Sequence, residues 1–566
     1  MIRRACLVLV AAIVSAGLLW AAYQASRPPA APLSRWFPAG SMLYLEAKDF
    51  SSLLADWNSS LEKRIWVGSS NYEVFSRSRL FLRLKGAADQ FSRAAGFPPD
   101  MDFLSQVAGS HSAIALYDIG NLQFLYVTYL PAAKSMETTL WQSRAKFEPH
   151  NAGGISFFVR RDPESQKEVA FAISGDYLLL ATREDLLAGA LELMSGTKDL
   201  TIETEPWWSQ SVPAAGPAGD LRMVLNLEKL VPSPYFRTYW VQQNITDMKQ
   251  YSAAVSDLFR SRKEYREERV LIAKAARTAV SDAAAQAPAE LVRLVPENAG
   301  IYEAKAAPSP QECADLVETK LLAPHTGPVP TSQVAPEVEL TSGETGASSD
   351  LETRIDYVPT AAAVSKAESP VRLLLEKSAL EASLEVQSTE PDPGGVFVRI
   401  HSAVVLVSSS EWDPAAVESA FTNAVAPTLT ASQLGVKWEQ NSAHLQLDGL
   451  WPLSLAIRGK YLIVADDPAL IEQVLSNFAR SVSVKPAVFI AGFSHARERN
   501  NFSRLTASVD QNNGRADLPG QARQPQFFSE NISSLSGVLN HLVSQTIVVR
   551  TEGVKTFQAV TYEWAE

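Results

Sequence analysis

The sequence predicts an α+β fold: two diverged copies of a mainly antiparallel sheet with helices packed on it, following an N-terminal transmembrane helix. Three observations predict it. Ala172–Leu191 returns as Ala456–Leu475 without a gap, sharing eight of twenty residues. Further echoes follow in the same order: Phe37 onward resembles Val295 onward, His111-Ser-Ala resembles His401-Ser-Ala, and the stretch at Asp220 takes the place of that at Pro486. A period this long is not that of a solenoid, so each copy is a domain-sized unit. Lastly, period-two apolar runs broken by glycine turns alternate with helical patterns, as hairpins interspersed with helices do.

The elements follow in chain order. Arg3 and Arg4 precede an uncharged run from Ala5 to Tyr23, which as a helix rises about 28 Å, one hydrocarbon core. Leading arginines predict a cytoplasmic N-terminus with the body outside, and Trp20 and Tyr23 suit the outer interface. A cleaved signal peptide is the alternative, and either exports the body. Residues 1–26 are thus the anchor or signal, 27–285 the first unit and 286–566 the second.

In the first unit strands are expected at Met42–Ala47, Ser112–Tyr117, Leu122–Tyr129, Ile155–Arg160 and Met223–Leu227, with helices at Ser51–Lys63, Tyr72–Ala95 and Lys134–Lys146. Val169, Phe171 and Ile173 alternate on one strand face, Gly175-Asp176 suits a primed turn, and Tyr177–Ala181 is apolar on both faces and therefore central. Thr182 is the expected cap of the next helix, with Asp185 as its partner. In the second unit strands are expected at Gly300–Ala304, Val396–Ser408, Gly435–Glu439, Leu453–Arg458 and Ala487–Phe493, and a helix at Pro414–Val425. There Asp467 and Pro468 supply a cap followed by a proline at the first helical turn. Each copy closes on a helix and a strand; the charged run at Arg260 reads as a solvated helix with ion pairs. A Pro-, Thr-, Ser- and Gly-rich stretch near 323–350 cannot bury enough apolar surface to order itself.

The 566 residues carry a net charge of −11 with 46% hydrophobic and 20% charged residues. That balance argues against a nucleic-acid partner, which needs a basic face. Cys6 lies in the apolar leader, so Cys313 has no partner in the body; it reads as a small buried side chain rather than a disulfide or thiolate metal ligand. None of the seven histidines forms a metal-ligand spacing, and His111 and His401 read as strand-end residues bonded to backbone. No phosphate-binding glycine loop or nucleophile elbow occurs, and the Ser-x-x-Lys runs at Ser60 and Ser195 lack their companion motifs. The stretch at Asp510 fails as a calcium loop because Gln521 stands where a bidentate glutamate belongs. The sequence therefore supplies no catalytic residue, no metal site and no cofactor.

Its best candidate surface is aromatic: Trp207 and Trp208 in a proline-rich loop, then Tyr235, Phe236, Tyr239 and Trp240. Aromatics of this kind anchor interfaces or plug a core edge. The stretches at Phe37, His111 and Ile173, set behind an N-terminal span, resemble a family of bacterial exported proteins built around a domain of unknown function. The resemblance implies a body tethered to the bacterial inner membrane and facing the periplasm, and it brings no catalytic residues. The expectation is a non-catalytic envelope protein, attached by a single span, that binds a protein partner, an envelope polymer or a lipid through the groove between its units or the aromatic patch. Two alternatives are a carrier for an apolar ligand, which demands a continuous apolar cavity of several hundred Å³, and a hydrolase of unrecognised type.

Overall fold

A computed structural model describes residues 32–68, 72, 75–233, 248–276, 282–322, 369–391, 398–425, 437–441, 443–447, 452–481, 485–499 and 541–565. The N-terminal apolar run, the stretch near 323–350, and Tyr235, Phe236, Tyr239 and Trp240 lie outside them. Among the described residues no helix is long and apolar enough to cross a membrane. The fold is α+β with antiparallel pairing. The chain divides into two compact units, Met1–Ser60 with Ser76–Asp257 and Leu61–Phe75 with Leu258–Glu566.

The first unit is built on eight strands: β1 (Leu43–Ala47), β2 (His111–Asp118), β3 (Gln123–Tyr129), β4 (Glu148–Ala152), β5 (Ile155–Arg161), β6 (Glu168–Ser174), β7 (Tyr177–Ala181) and β8 (Leu221–Asn226). They pair antiparallel in the order β8–β1–β2–β3–β7–β6–β5–β4. Gly175 has φ +57°, the left-handed conformation that the β6–β7 turn needs. The longer helices that accompany the sheet are α1 (Phe50–Ser59), α2 (Arg79–Ala95), α3 (Met101–Val107), α4 (Glu184–Ser195) and α5 (Pro206–Ala215).

Alternation along the strands gives the sheet two apolar faces. Leu179 and Ala181 lie fully buried on the face that α4 covers with Leu187 and Leu191. Val169, Phe171, Leu178, Leu180 and Tyr126 take the other face and form one core with Ala94, Ala95, Phe103 and Val107 of α2 and α3. Thr182 does not cap α4. Arg183 holds the cap position without a side-chain bond, and the Thr182 hydroxyl instead accepts from Phe124 N at 2.9 Å, tying β3 to β7. The expected helix at Ser51–Lys63 breaks at Ser60, and the one at Lys134–Lys146 is three short pieces.

The boundary between units falls inside β9 (Tyr251–Arg260), which is followed by β10 (Glu264–Ala273). These are strands where a charged helix was expected. Buried Tyr251, Ala253, Val255 and Asp257 alternate along β9, and that period of two outweighs the helical charge spacing.

The second unit continues with β11 (Ile301–Ala306), β12 (Leu380–Pro391), β13 (Val398–Ser408), β14 (Trp438–Gln440), β15 (Leu445–Leu447), β16 (Leu453–Arg458), β17 (Tyr461–Ala465), β18 (Phe489–Ser494), β19 (Leu542–Glu552) and β20 (Lys555–Trp564). Their antiparallel order is β10–β20–β19–β18–β11–β12–β13–β17–β16–β15–β14. Ala403, Val405 and Val407 of β13 enter one core, while Val404 and Leu406 enter a second on the opposite face, so the strand is buried on both sides. The first of these cores includes Leu470, Ile471 and Val474 of α6 (Pro468–Ser476). Asp467 caps that helix by accepting from Leu470 N at 2.9 Å, with Pro468 at its first turn. Cys313 sits in the second core, where burial pushes its thiol up to about 12.

Candidate functional site: an apolar cavity in the first unit

Between the α2–α3 layer and the sheet of the first unit lies a cavity of about 600 Å³. Local sequence places its walls. Ser78 caps α2 by accepting from Phe81 N at 3.2 Å, and Gly96 ends it with φ +85°. Arg160 of β5 then donates to the last-turn carbonyls of Arg93 and Ala94 at 3.0 and 2.9 Å, a cation at a helix C-terminus. Asp100 starts α3 by accepting from Phe103 N at 2.9 Å. The positions of α2 that line the cavity are Ala87, Ala88 and Ala94 together with the larger Gln90 and Phe91. Small side chains here hold a helix over a sheet without filling the space between them.

The sheet side of the cavity is made by Leu45, Ile114, Phe124, Tyr126 and Leu180. Lining residues run from Ser112, which pairs with Thr128, to Gln123, which pairs with Asp118. From Ser112 to Asp118 is six residue steps along β2, roughly 20 Å at about 3.3 Å per step. The lining also crosses the sheet from Leu221 of β8 to Glu168 of β6, so the cavity is a broad slot over the sheet that extends this far along the strands.

Its two ends differ chemically. At the buried end Ser112 Oγ and Thr128 Oγ1 lie 2.6 Å apart, Tyr126 Oη donates to Val107 O at 2.8 Å, and Gly109 N donates to Thr128 Oγ1 at 3.1 Å. A Cβ at position 109 would stand 2.1 Å from Tyr129 O and 2.3 Å from Thr128 Oγ1, so the network requires glycine there. Burial raises the Tyr126 phenol above its ordinary pKa, keeping it a neutral donor. These hydroxyls bond to one another and to backbone, which leaves an end suited to an apolar group. At the other end the lining includes exposed Asn121 and Gln166 together with half-buried Gln123, Lys167 and Arg183. This end is the mouth.

Titratable groups elsewhere are structural. Arg222 and Asp257 form a buried pair, with Arg222 Nε and Nη2 each 2.8 Å from the carboxylate. His111 Nε2 lies 2.6 Å from Glu46 Oε1, a carboxylate rather than the backbone partner that was expected. His401 Nδ1 lies 3.7 Å from Asp466, which holds its pKa above the ordinary histidine value. Among the described residues no group of three or more His, Cys, Asp or Glu is placed to hold a metal ion.

The sequence candidates fall elsewhere. Trp207 and Trp208 lie on α5, not in a loop, because Pro206 is tolerated at a first helical position. They are 6% and 7% exposed, and Trp208 packs edge-on to Tyr44 at 5.0 Å. Trp207 in turn packs edge-on to Trp208 at 5.7 Å, and neither lines the cavity. The cavity itself was not located from sequence. Its one signal is the alanine run on an otherwise bulky amphipathic helix, which a core reading absorbs.

No family model and no curated protein matches this chain. Crystal form I of TP0453 is similar at 12% identity over 44% of this chain and 82% of that one, with a TM-score of 0.23. Crystal form III of TP0453 is similar at 13% identity over 49% of this chain and 89% of that one, with a TM-score of 0.22. Likeness of this degree carries no argument about fold or function.

Proposed function

We propose that this chain is a non-catalytic binding protein whose first unit holds the apolar part of an elongated ligand, a lipid-like molecule, between α2 and the sheet. The observation that carries this reading is the cavity: long, apolar along its length, with hydrogen bonds closed off at its buried end and polar groups at its mouth. Its volume lies within the ~300–1,000 Å³ range of small-molecule sites. At roughly 30 Å³ per water-sized group, it accommodates on the order of twenty heavy atoms, the size of one long acyl chain.

The proposal includes an origin and a location. The order β8–β1–β2–β3–β7–β6–β5–β4 recurs as β18–β11–β12–β13–β17–β16–β15–β14, which supports duplication of one module. Three of the four sequence echoes fall on strands matched in this way. The His111–His401 echo does not, since β2 corresponds to β12 and His401 lies on β13. The leader from Ala5 to Tyr23 supports a body tethered outside the inner membrane.

Titration of the full chain with an environment-sensitive fluorescent fatty-acid analogue tests the reading. One saturable site per chain is expected, with blue-shifted emission. Absence of saturable binding at micromolar probe would remove it.

A further inference from the structure

We infer that the mouth of the cavity selects an anionic head group, so that the ligand is a single-chain amphiphile ending in a carboxylate or a phosphate; this rests on the apolar-ligand reading above.

The carboxylates at the mouth are engaged. Asp118 accepts from Asn121 N and Nδ2 at 3.1 and 2.9 Å. Glu168 pairs with Arg161 and accepts from Glu184 N at 2.8 Å. Asp185 pairs with Arg183, whose remaining contact is Gln123 Oε1 at 3.0 Å. Lys167 differs. The Asp118 carboxylate feels its charge, but the Lys167 Nζ donates to the neutral Asn121 Oδ1 at 3.2 Å, and an ammonium has three donors. Lys167 lines the cavity, so its remaining donors stand where the head of a ligand would emerge. Asn121, Gln123 and Gln166 line the same end; Asn121 Nδ2 donates to Asp118 and Gln166 Nε2 to Pro163 O, and each amide nitrogen carries a second N–H that can bond a head group's other oxygens.

The length of the cavity fixes the orientation. At the buried end Ser112, Thr128 and Tyr126 bond among themselves and to the backbone of Gly109 and Val107. A charged head placed there would face desolvation without a counter-charge. The tail therefore enters first, and a chain that spans the roughly 20 Å of the strand-parallel cavity places its head against Lys167. A charge-assisted hydrogen bond at a partly exposed site corresponds to roughly five- to tenfold in affinity.

The test is competition on the full chain against the fluorescent fatty-acid analogue, using palmitic acid, hexadecanol and palmitoyl lysophosphatidylglycerol. The two anions are expected to compete about five- to tenfold better than the alcohol, and Lys167→Gln is expected to bring the acid-to-alcohol ratio close to one. The tighter of the two anions identifies a free carboxylate or a phospholipid head as the source. An alcohol that competes as well as the acid, or a ratio unchanged in Lys167→Gln, overturns the inference and leaves apolar binding standing. Failure of all three to compete overturns both.

Discussion

Replacing Ala87 with phenylalanine should convert the long cavity into a short one. Ala87 lies on the face of α2 that lines the cavity, and the substitution adds six carbons without changing charge. At roughly 30 Å³ per water-sized group, those carbons occupy nearly a third of the 600 Å³. A ligand tail must then give up a comparable length, about six methylenes. At ~0.8 kcal/mol for each buried methylene, a full-length chain loses up to about 5 kcal/mol of apolar contact, and partial rearrangement brings the expected loss to about 3–4 kcal/mol. A sixteen-carbon acid should thus bind at least a hundredfold more weakly, while a ten-carbon acid should bind as it does to the parent. The protein itself should gain stability. Burying the ring contributes about 1.5–3 kcal/mol, less about 1 kcal/mol for lost side-chain freedom. Chain-length series by isothermal titration calorimetry and thermal unfolding in parallel report both effects. Unchanged affinity for the long acid in a variant with raised melting temperature would refute the reasoning, because the cavity would then be filled without consequence for the ligand.

Three further outcomes follow from the packing. Arg222→Ala strands a buried Asp257 that is 1% exposed, and should cost about 3–5 kcal/mol in denaturant unfolding; a cost under 1 kcal/mol would mean the pair is solvated. Trp208→Ala should cost about 3–5 kcal/mol as a large core truncation and leave ligand affinity within twofold; a neutral effect on stability with lost binding would restore the aromatic-surface reading. The His401 pKa is raised by Asp466, so its contribution is present below the ordinary histidine value of about 6.5 and lost as pH rises through the raised one. The stability gap between the parent and Asp466→Asn should therefore narrow between pH 5 and pH 8, and a gap that is constant over that range would contradict the pairing.

Much of the fold was legible because burial leaves a period in the sequence. Tyr177–Ala181 and Tyr461–Ala465, apolar on both faces, are central strands in their sheets, and the turn glycines Gly175 and Gly459 both have φ +57°. Pro414–Val425 matches its expected bounds. Where local chemistry offered two solutions, tertiary context chose. The Thr182 hydroxyl serves a neighbouring strand instead of capping a helix, and the charged run after Arg260 pairs as a strand with β20. Leu380–Pro391 was missed as a strand although Leu380, Ala382, Leu384 and Val386 alternate with Glu381, Ser383, Glu385 and Gln387; its Leu, Ala and Glu are good helix formers, yet Ala382, Leu384 and Val386 are fully buried on one face. The cavity was illegible for a different reason. Periodicity reports which side chains face inward, not whether facing layers interdigitate, and Ala87, Ala88, Phe91, Tyr126 and Leu180 read the same in a filled core.

The most direct measurement is photo-crosslinking of the full chain with a long-chain fatty acid carrying a diazirine near its terminal methyl, followed by peptide mapping. The account predicts labelled peptides from α3 and from the β2–β3 hairpin, near Val107, Ser112 and Tyr126. Label spread over the surface, or concentrated between residues 398 and 476, would contradict it.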